Sequence, residues 1–247
     1  MHRNTLAFVI VAALGGFVAG FWLANSLNRS AGNAINAVPT QSSTSAPGQT
    51  QDPLETELSP DELRAKIAEA DQNPSNFTFQ KDLGTSLYRY AATKQDPTLL
   101  EQARRLLTRA DTLNSKDFDV LVALGHAHFD IGFHKRDAVS FQKAREVYTR
   151  ALAIRPDDPD IKTDLGLTYF LQEPPDYDKA AAQLTRVSTD NPRHDRSLQF
   201  LVRTFVKQGK LADAEKALEK IKSINPGNPA ITELTTQIAD ARKGVSG

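Results

Sequence analysis

Three side chains are spaced to hold a metal ion. His126, Asp130 and His134 recur every four residues, so an α-helix would set two imidazoles and a carboxylate on one stripe. A working metal centre also needs groups that orient its ligands, and none stands beside this stripe in the sequence. The stripe therefore reads first as solvated or ion-paired side chains beside a loop, and only second as a metal site. The chain has no G-x-S-x-G elbow, P-loop, H-E-x-x-H helix or dinucleotide fingerprint. It has no cysteine, which excludes thiolate catalysis, disulfides and cysteine-ligated zinc. Its 30 basic and 30 acidic side chains balance, so it lacks the cationic excess of a dedicated nucleic-acid binder. The expectation is a non-enzyme with no cofactor, no metal and no nucleic-acid partner.

The elements that carry these residues read as helices throughout. Ser59-Pro60-Asp61-Glu62 is a capping box, with Leu63, Ile67 and Ala70 on one face of the helix behind it. Asn73-Pro74 ends that helix, giving a short element over 59–74. A pattern then repeats four times: a small-residue pair, a larger residue three positions on, then Ala-x3-apolar, then a turn. The first unit has Leu83-Gly84, Leu87, Ala103, Leu107, Ala110 and Ser115. The second has Leu124-Gly125, His128, Ala144, Tyr148, Ala151 and Pro156. The third has Leu165-Gly166, Tyr169, Ala180, Leu184, Val187 and Pro192. The fourth has Leu201-Val202, Phe205, Ala214, Leu218, Ile221 and Pro226. Small residues suit places where two helices cross closely, and proline stops the second helix. A last helix over 229–247, with Ile231, Leu234 and Ile238 as its apolar stripe and Gly244 as its stop, reads as a cap.

This pattern resembles the tetratricopeptide repeat, with its Leu-Gly-x2-Tyr and Ala-x3-Phe signatures and a period near 34 residues. The resemblance covers residues 75–228. It implies an all-α fold: a right-handed α-solenoid of about four helix hairpins plus a C-terminal capping helix. The family's early tryptophan is missing from every unit, and His128 stands where the family places tyrosine, which implies packing between helices. In units one and two the alanine stands 19 positions after the small residue, against 12 in unit four. The extra segments, around Lys94-Gln95-Asp96-Pro97 and Gly132-Phe133-His134-Lys135-Arg136-Asp137, are expected to form longer hairpins with extended loops. Glu173-Pro174-Pro175-Asp176 reads as a loop in unit three.

The family's geometry implies a concave groove lined by the first helix of each unit. Its inward positions here are Thr78, Lys81, Thr85 and Tyr88, then Asp119, Val122, His126 and Phe129. In units three and four they are Asp160, Thr163, Leu167 and Phe170, then Arg196, Gln199, Arg203 and Val206. Tyr88, Phe129, Leu167 and Phe170 are expected as an apolar floor, with Lys81, Arg89, Arg196, Arg203 and Lys207 as a basic rim. Such a groove suits a peptide or its C-terminal carboxylate; the alternative is that some of these residues are packed core. Chaperone-tail binders of the family carry asparagine where this chain has Thr85 and His126, so that ligand is not implied.

Ahead of the repeats, residues 5–27 form an uncharged, almost wholly apolar run within a segment 1–28, long enough for a transmembrane helix. A cleaved signal peptide is the alternative. Gly16 and Gly20 make a GxxxG spacing, which membrane helices also carry by composition alone. Arg3 before the run, with Arg29 behind it the last charge before Asp52, favours N-in, C-out: a single-pass bacterial inner-membrane protein with its body in the periplasm. Residues 29–58, rich in Ser, Thr, Pro and Gln, read as a disordered linker. Anchor, linker and repeats in that order resemble bacterial envelope assembly factors, the repeat-bearing subunits of cytochrome c maturation among them. The expectation is a membrane-anchored scaffold with a protein or peptide partner. A self-associating spacer, a homo-oligomer without a ligand, is the second reading and a metal-dependent enzyme the third.

Overall fold

Helix caps divide the chain at regular intervals. The structure, a computed structural model, describes residues 59–245. These form α1 (Pro60–Gln72), α2 (Phe77–Lys94), α3 (Pro97–Leu113), α4 (Phe118–Lys135), α5 (Ala138–Ile154), α6 (Pro159–Leu171), α7 (Tyr177–Asp190), α8 (Asp195–Lys207), α9 (Leu211–Ile224) and α10 (Ala230–Val245). The expected transmembrane segment and linker lie outside the described residues. Among the described residues no helix is long and apolar enough to cross a membrane.

The four expected hairpins are α2/α3, α4/α5, α6/α7 and α8/α9. Each first helix opens with one device: the side chain of Asn76, Asp117, Asp158 or His194 accepts a backbone N–H three residues on. Each second helix ends two residues before Ser115, Pro156, Pro192 or Pro226. Only α10 overshoots its expected stop. It runs through Gly244 to Val245, with Leu234 and Ile238 buried as its seam.

The expectation of extended loops in units one and two is overturned. Gln95 and Arg136 take left-handed backbone at φ 54° and 53°, and the next residue, Asp96 or Asp137, caps the following helix through two backbone N–H groups. Two residues therefore reverse the chain, and the added length goes into helix. Hairpins one and two have helices of 18 and 17 residues, against 13 and 14 in hairpins three and four. Their first helices are longer by about 7 Å at 1.5 Å per residue. Unit three does carry the expected loop at Glu173–Asp176. It leans on the projecting second hairpin, with Arg145 bonding Gln172 at 3.1 Å and stacking 4.6 Å from the Tyr169 ring centre.

The helices of each hairpin meet at the small residues. A Cβ on Gly84 or Gly166 would lie 3.0–3.1 Å from Leu107 or Leu184; on Gly125 it would lie 2.4 Å from the Tyr148 ring. Tyr148 is fully buried and has no room to retreat. Gly125→Ala should therefore destabilise the body by about 1–3 kcal/mol as overpacking outweighs the gain in helix propensity of about 1 kcal/mol. Gly244→Ala, where a Cβ meets open space, should be neutral or slightly stabilising. Urea unfolding midpoints of the two variants check the contrast.

Candidate functional site

The first helices α2, α4, α6, α8 and α10 contact one another in sequence, whereas the second helices do so much less. The first helices thus form the tighter layer, and any groove lies on their face.

That layer is stitched by side chains reaching one repeat along the chain. Lys81 on α2 bonds Asp117 at 2.8 Å and Asp119 at 3.3 Å. Burial is the largest single influence and works against its ammonium, but the bonds and charges of Asp117 and Asp119 together outweigh it and raise its pKa. The Tyr88 hydroxyl donates to Asp130 at 2.9 Å. His126 Nε2 meets Asp164 Oδ2 at 2.9 Å, and Arg196 from α8 holds the other oxygen of Asp164. His194 bonds Asp160 at 3.2 Å and draws that carboxyl below the usual range. Arg203 bonds Glu233 of α10 at 3.2 Å, with its own pKa lowered by burial. A second set of pairs runs along the outer helices, Arg109 to Asp71 and Arg150 to Asp111, and Lys135 at the end of α4 reaches back to Glu101 of α3.

This arrangement corrects the expected groove. Tyr88, Phe129, Leu167 and Phe170 do not form a floor open to solvent; all four are buried, Leu167 at 0% and Phe129 at 1% exposure. Phe129 turns edge-on to Phe141 inside its own hairpin, and Phe170 packs on Tyr177. Thr163 is also buried, its hydroxyl donating to the Pro159 carbonyl. The basic rim is mostly neutralised. Lys81, Arg196 and Arg203 sit in inter-hairpin ion pairs, while Arg89 and Lys207 are exposed. The cause is proximity: the next first helix covers positions that a wider superhelix would leave open. What stays half-exposed on the face is Thr85, Val122 and His126, with Gln199 and Val206 farther on and Thr78, Asp119 and Asp160 exposed along its edge.

The histidine stripe also separates. His126 faces Asp164, Asp130 faces Tyr88, and His134 lies edge-on to Phe133. Among the described residues no three side chains are gathered as a metal site. His128 packs between helices as expected, and burial, helped by Arg104, lowers its pKa to about 4. The sequence reading missed Asp164, Asp117 and Glu233. The usable signal was separation: these partners stand 38, 36 and 30 residues from His126, Lys81 and Arg203, close to one repeat.

A sequence model of the tetratricopeptide repeat matches residues 175–238. The fold is similar to a crystal structure of MamA protein, with a TM-score of 0.52 and 21% identity over 67% of this chain and 81% of that one. It is also similar to MamA MSR-1, at a TM-score of 0.51 and 20% identity over 69% and 87%. A thermophilic TPR protein in Thermus thermophilus aligns at a TM-score of 0.51 and 18% identity over 73% and 88%. No curated protein matches the sequence. The family model over residues 175–238 and the shared fold support the tetratricopeptide repeat that the motifs imply, and the described part of the chain is all-helical.

The buried His128 sets an acid limit. Its folded pKa lies below the ordinary value of about 6.5, so the unfolded chain binds the extra proton. Stability should fall as pH drops from about 6.5 towards 4, by about 2–3 kcal/mol from this group. Urea unfolding of wild type and His128→Phe across that range should show a shallower slope for the variant.

Proposed function

We propose that this chain is a membrane-anchored scaffold that holds a protein or peptide partner on its first-helix face. The observation that carries this reading is the continuous layer of first helices, with Thr85, Val122, His126 and Gln199 half-exposed along it. Arg89 and Lys207 flank it as exposed cations suited to an anionic group on the partner. Repeat stacks present such lateral faces, and their ends are closed by polar helices. Here α1 exposes Glu62, Lys66 and Glu69, and α10 exposes Thr232, Thr235 and Thr236. Those ends offer little apolar surface for stacking copies end to end, which favours the adaptor over the self-associating spacer. The order of apolar run, linker and repeats supports the finer assignment to bacterial envelope assembly, with the body outside the inner membrane. Cytochrome c biogenesis is the pathway whose subunits share that order.

Two measurements test the reading. A photo-crosslinking residue at Val122 or Gln199 of the full-length chain, in its native host, should join the same partner protein at both sites. The same probe at Thr149, exposed on α5, should not. If neither site yields an adduct and the purified chain runs as a defined oligomer, the spacer reading replaces the scaffold. For the anchor, full-length chain should stay in membranes through alkaline carbonate extraction, and deletion of residues 5–27 should release it. Release of the full-length chain would remove the anchor from the proposal.

A further inference from the structure

We propose that α1 is the second helix of an unfinished hairpin, and that the seam it leaves open receives an amphipathic helix with a cationic flank from a partner protein. The register identifies which member of a hairpin α1 is. Leu63, Ile67 and Ala70 repeat the spacing of Ala103, Leu107 and Ala110 in α3 and of Ala144, Tyr148 and Ala151 in α5. Its C-terminal end is also held as a second helix is held. Asp71 pairs with Arg109 as Asp111 pairs with Arg150, 38 and 39 residues apart. Gln80, fully buried, donates to the Ala70 and Asn73 carbonyls at 2.7 and 3.0 Å and clamps the turn into α2.

Before that end the seam opens. Helices α3, α5 and α7 each pack along the next first helix, whereas α1 makes no comparable seam with α2. Ile67 holds the position of Leu107 and Tyr148, the buried knobs that face Gly84 and Gly125. No first helix precedes α1 among the described residues, and Leu63 and Ile67 are half-exposed. So are Phe79 and Leu83 on α2, although their counterparts on α4, Val120 and Leu124, are 0% and 2% exposed. An open cleft of about 360 Å³ lies at the junction, with Glu69, Phe79 and Asp82 in its lining.

The occupant follows from the seams that are filled. In hairpins one to three the helix that meets the knob carries glycine opposite it, at Gly84, Gly125 and Gly166. A helix completing α1 needs the same features: an apolar stripe, and a small residue where it crosses Ile67. Its flank should be cationic, because Glu69 and Asp82 line the cleft and Asp82 is exposed with no ion-pair partner among the described residues. The chain's own residues 29–58 do not meet this need. Pro39, Pro47 and Pro53 divide them into runs shorter than the 13 residues of the shortest first helices, α6 and α8. The site is separate from the face that carries Val122 and Gln199, so either reading can fail without the other.

The test uses a fluorescein-labelled peptide of residues 77–94, which carries Gly84 and three cations against one acid, and the full-length chain in lipid nanodiscs. Fluorescence anisotropy should show saturable binding that a peptide with Gly84→Leu loses. In the nanodisc-held chain, Ile67→Asp should weaken binding about tenfold and Asp82→Lys about threefold, while Thr149→Asp on α5 should leave it unchanged. If Ile67→Asp fails to fold, the exposed Asp82→Lys decides alone. No binding, or binding that neither substitution weakens, overturns the proposal. A chain that runs as a dimer and becomes a monomer in Ile67→Asp puts a second copy in the seam and overturns the separate partner. Peptide binding that appears only after residues 29–58 are deleted puts the chain's own segment there and overturns it equally.

Discussion

The whole body depends on how closely two helices of a hairpin can cross. At Gly84, Gly125 and Gly166 the missing Cβ is replaced by a buried Leu107, Tyr148 or Leu184 from the opposite helix. That knob sets the depth of each second helix. The depth sets how far the first helices stand from the outer layer, and so how tightly they approach one another. Because they approach tightly, Leu167 and Phe170 become core rather than lining. A hairpin by itself would leave half of these apolar side chains in water, so only the stack is stable.

Charge then decides how neighbours fit. Buried ion pairs add little net stability, because desolvation offsets most of the attraction. Losing one member is far more damaging, since it strands the other. Arg196 with Asp164 therefore acts as a test of correct pairing between hairpins, and the buried Arg203, met by the exposed Glu233, does the same for the seating of α10. The exposed pairs along the outer helices, such as Lys66 with Glu69, are each worth under about 1 kcal/mol and carry no such information.

The repeat was legible because it is local. Small residues, turn prolines and capping acids recur at fixed offsets, and the helices begin and end where those residues demand. The longer hairpins were legible, but their tips were misread as loops for a physical reason. Lys94-Gln95-Asp96-Pro97 has the composition of a loop, yet one left-handed residue followed by an aspartate cap closes a turn in two residues and leaves the rest helical. Groove exposure was illegible for a different reason. Whether Phe129 faces solvent or Phe141 depends on the separation of neighbouring helices, which no single repeat encodes. The inter-hairpin pairs stood midway. Each residue type was visible, but the partner of His126 emerges only when charges are compared one repeat apart.

The unequal hairpins have a consequence for how such a chain can evolve. Hairpin two projects beyond hairpin three, and the Pro174-Pro175 loop, with Glu173 reaching Arg136 and Gln172 reaching Arg145, fills the step between them. Solenoids of uniform repeats grow or shrink by duplicating and deleting modules, since every junction is alike. Here the junction between hairpins two and three is individual. Transposing a long hairpin and a short one would set a long tip beside a neighbour shaped for a short one. Recombination across that step is therefore constrained, while the like-sized neighbours on either side of it are not.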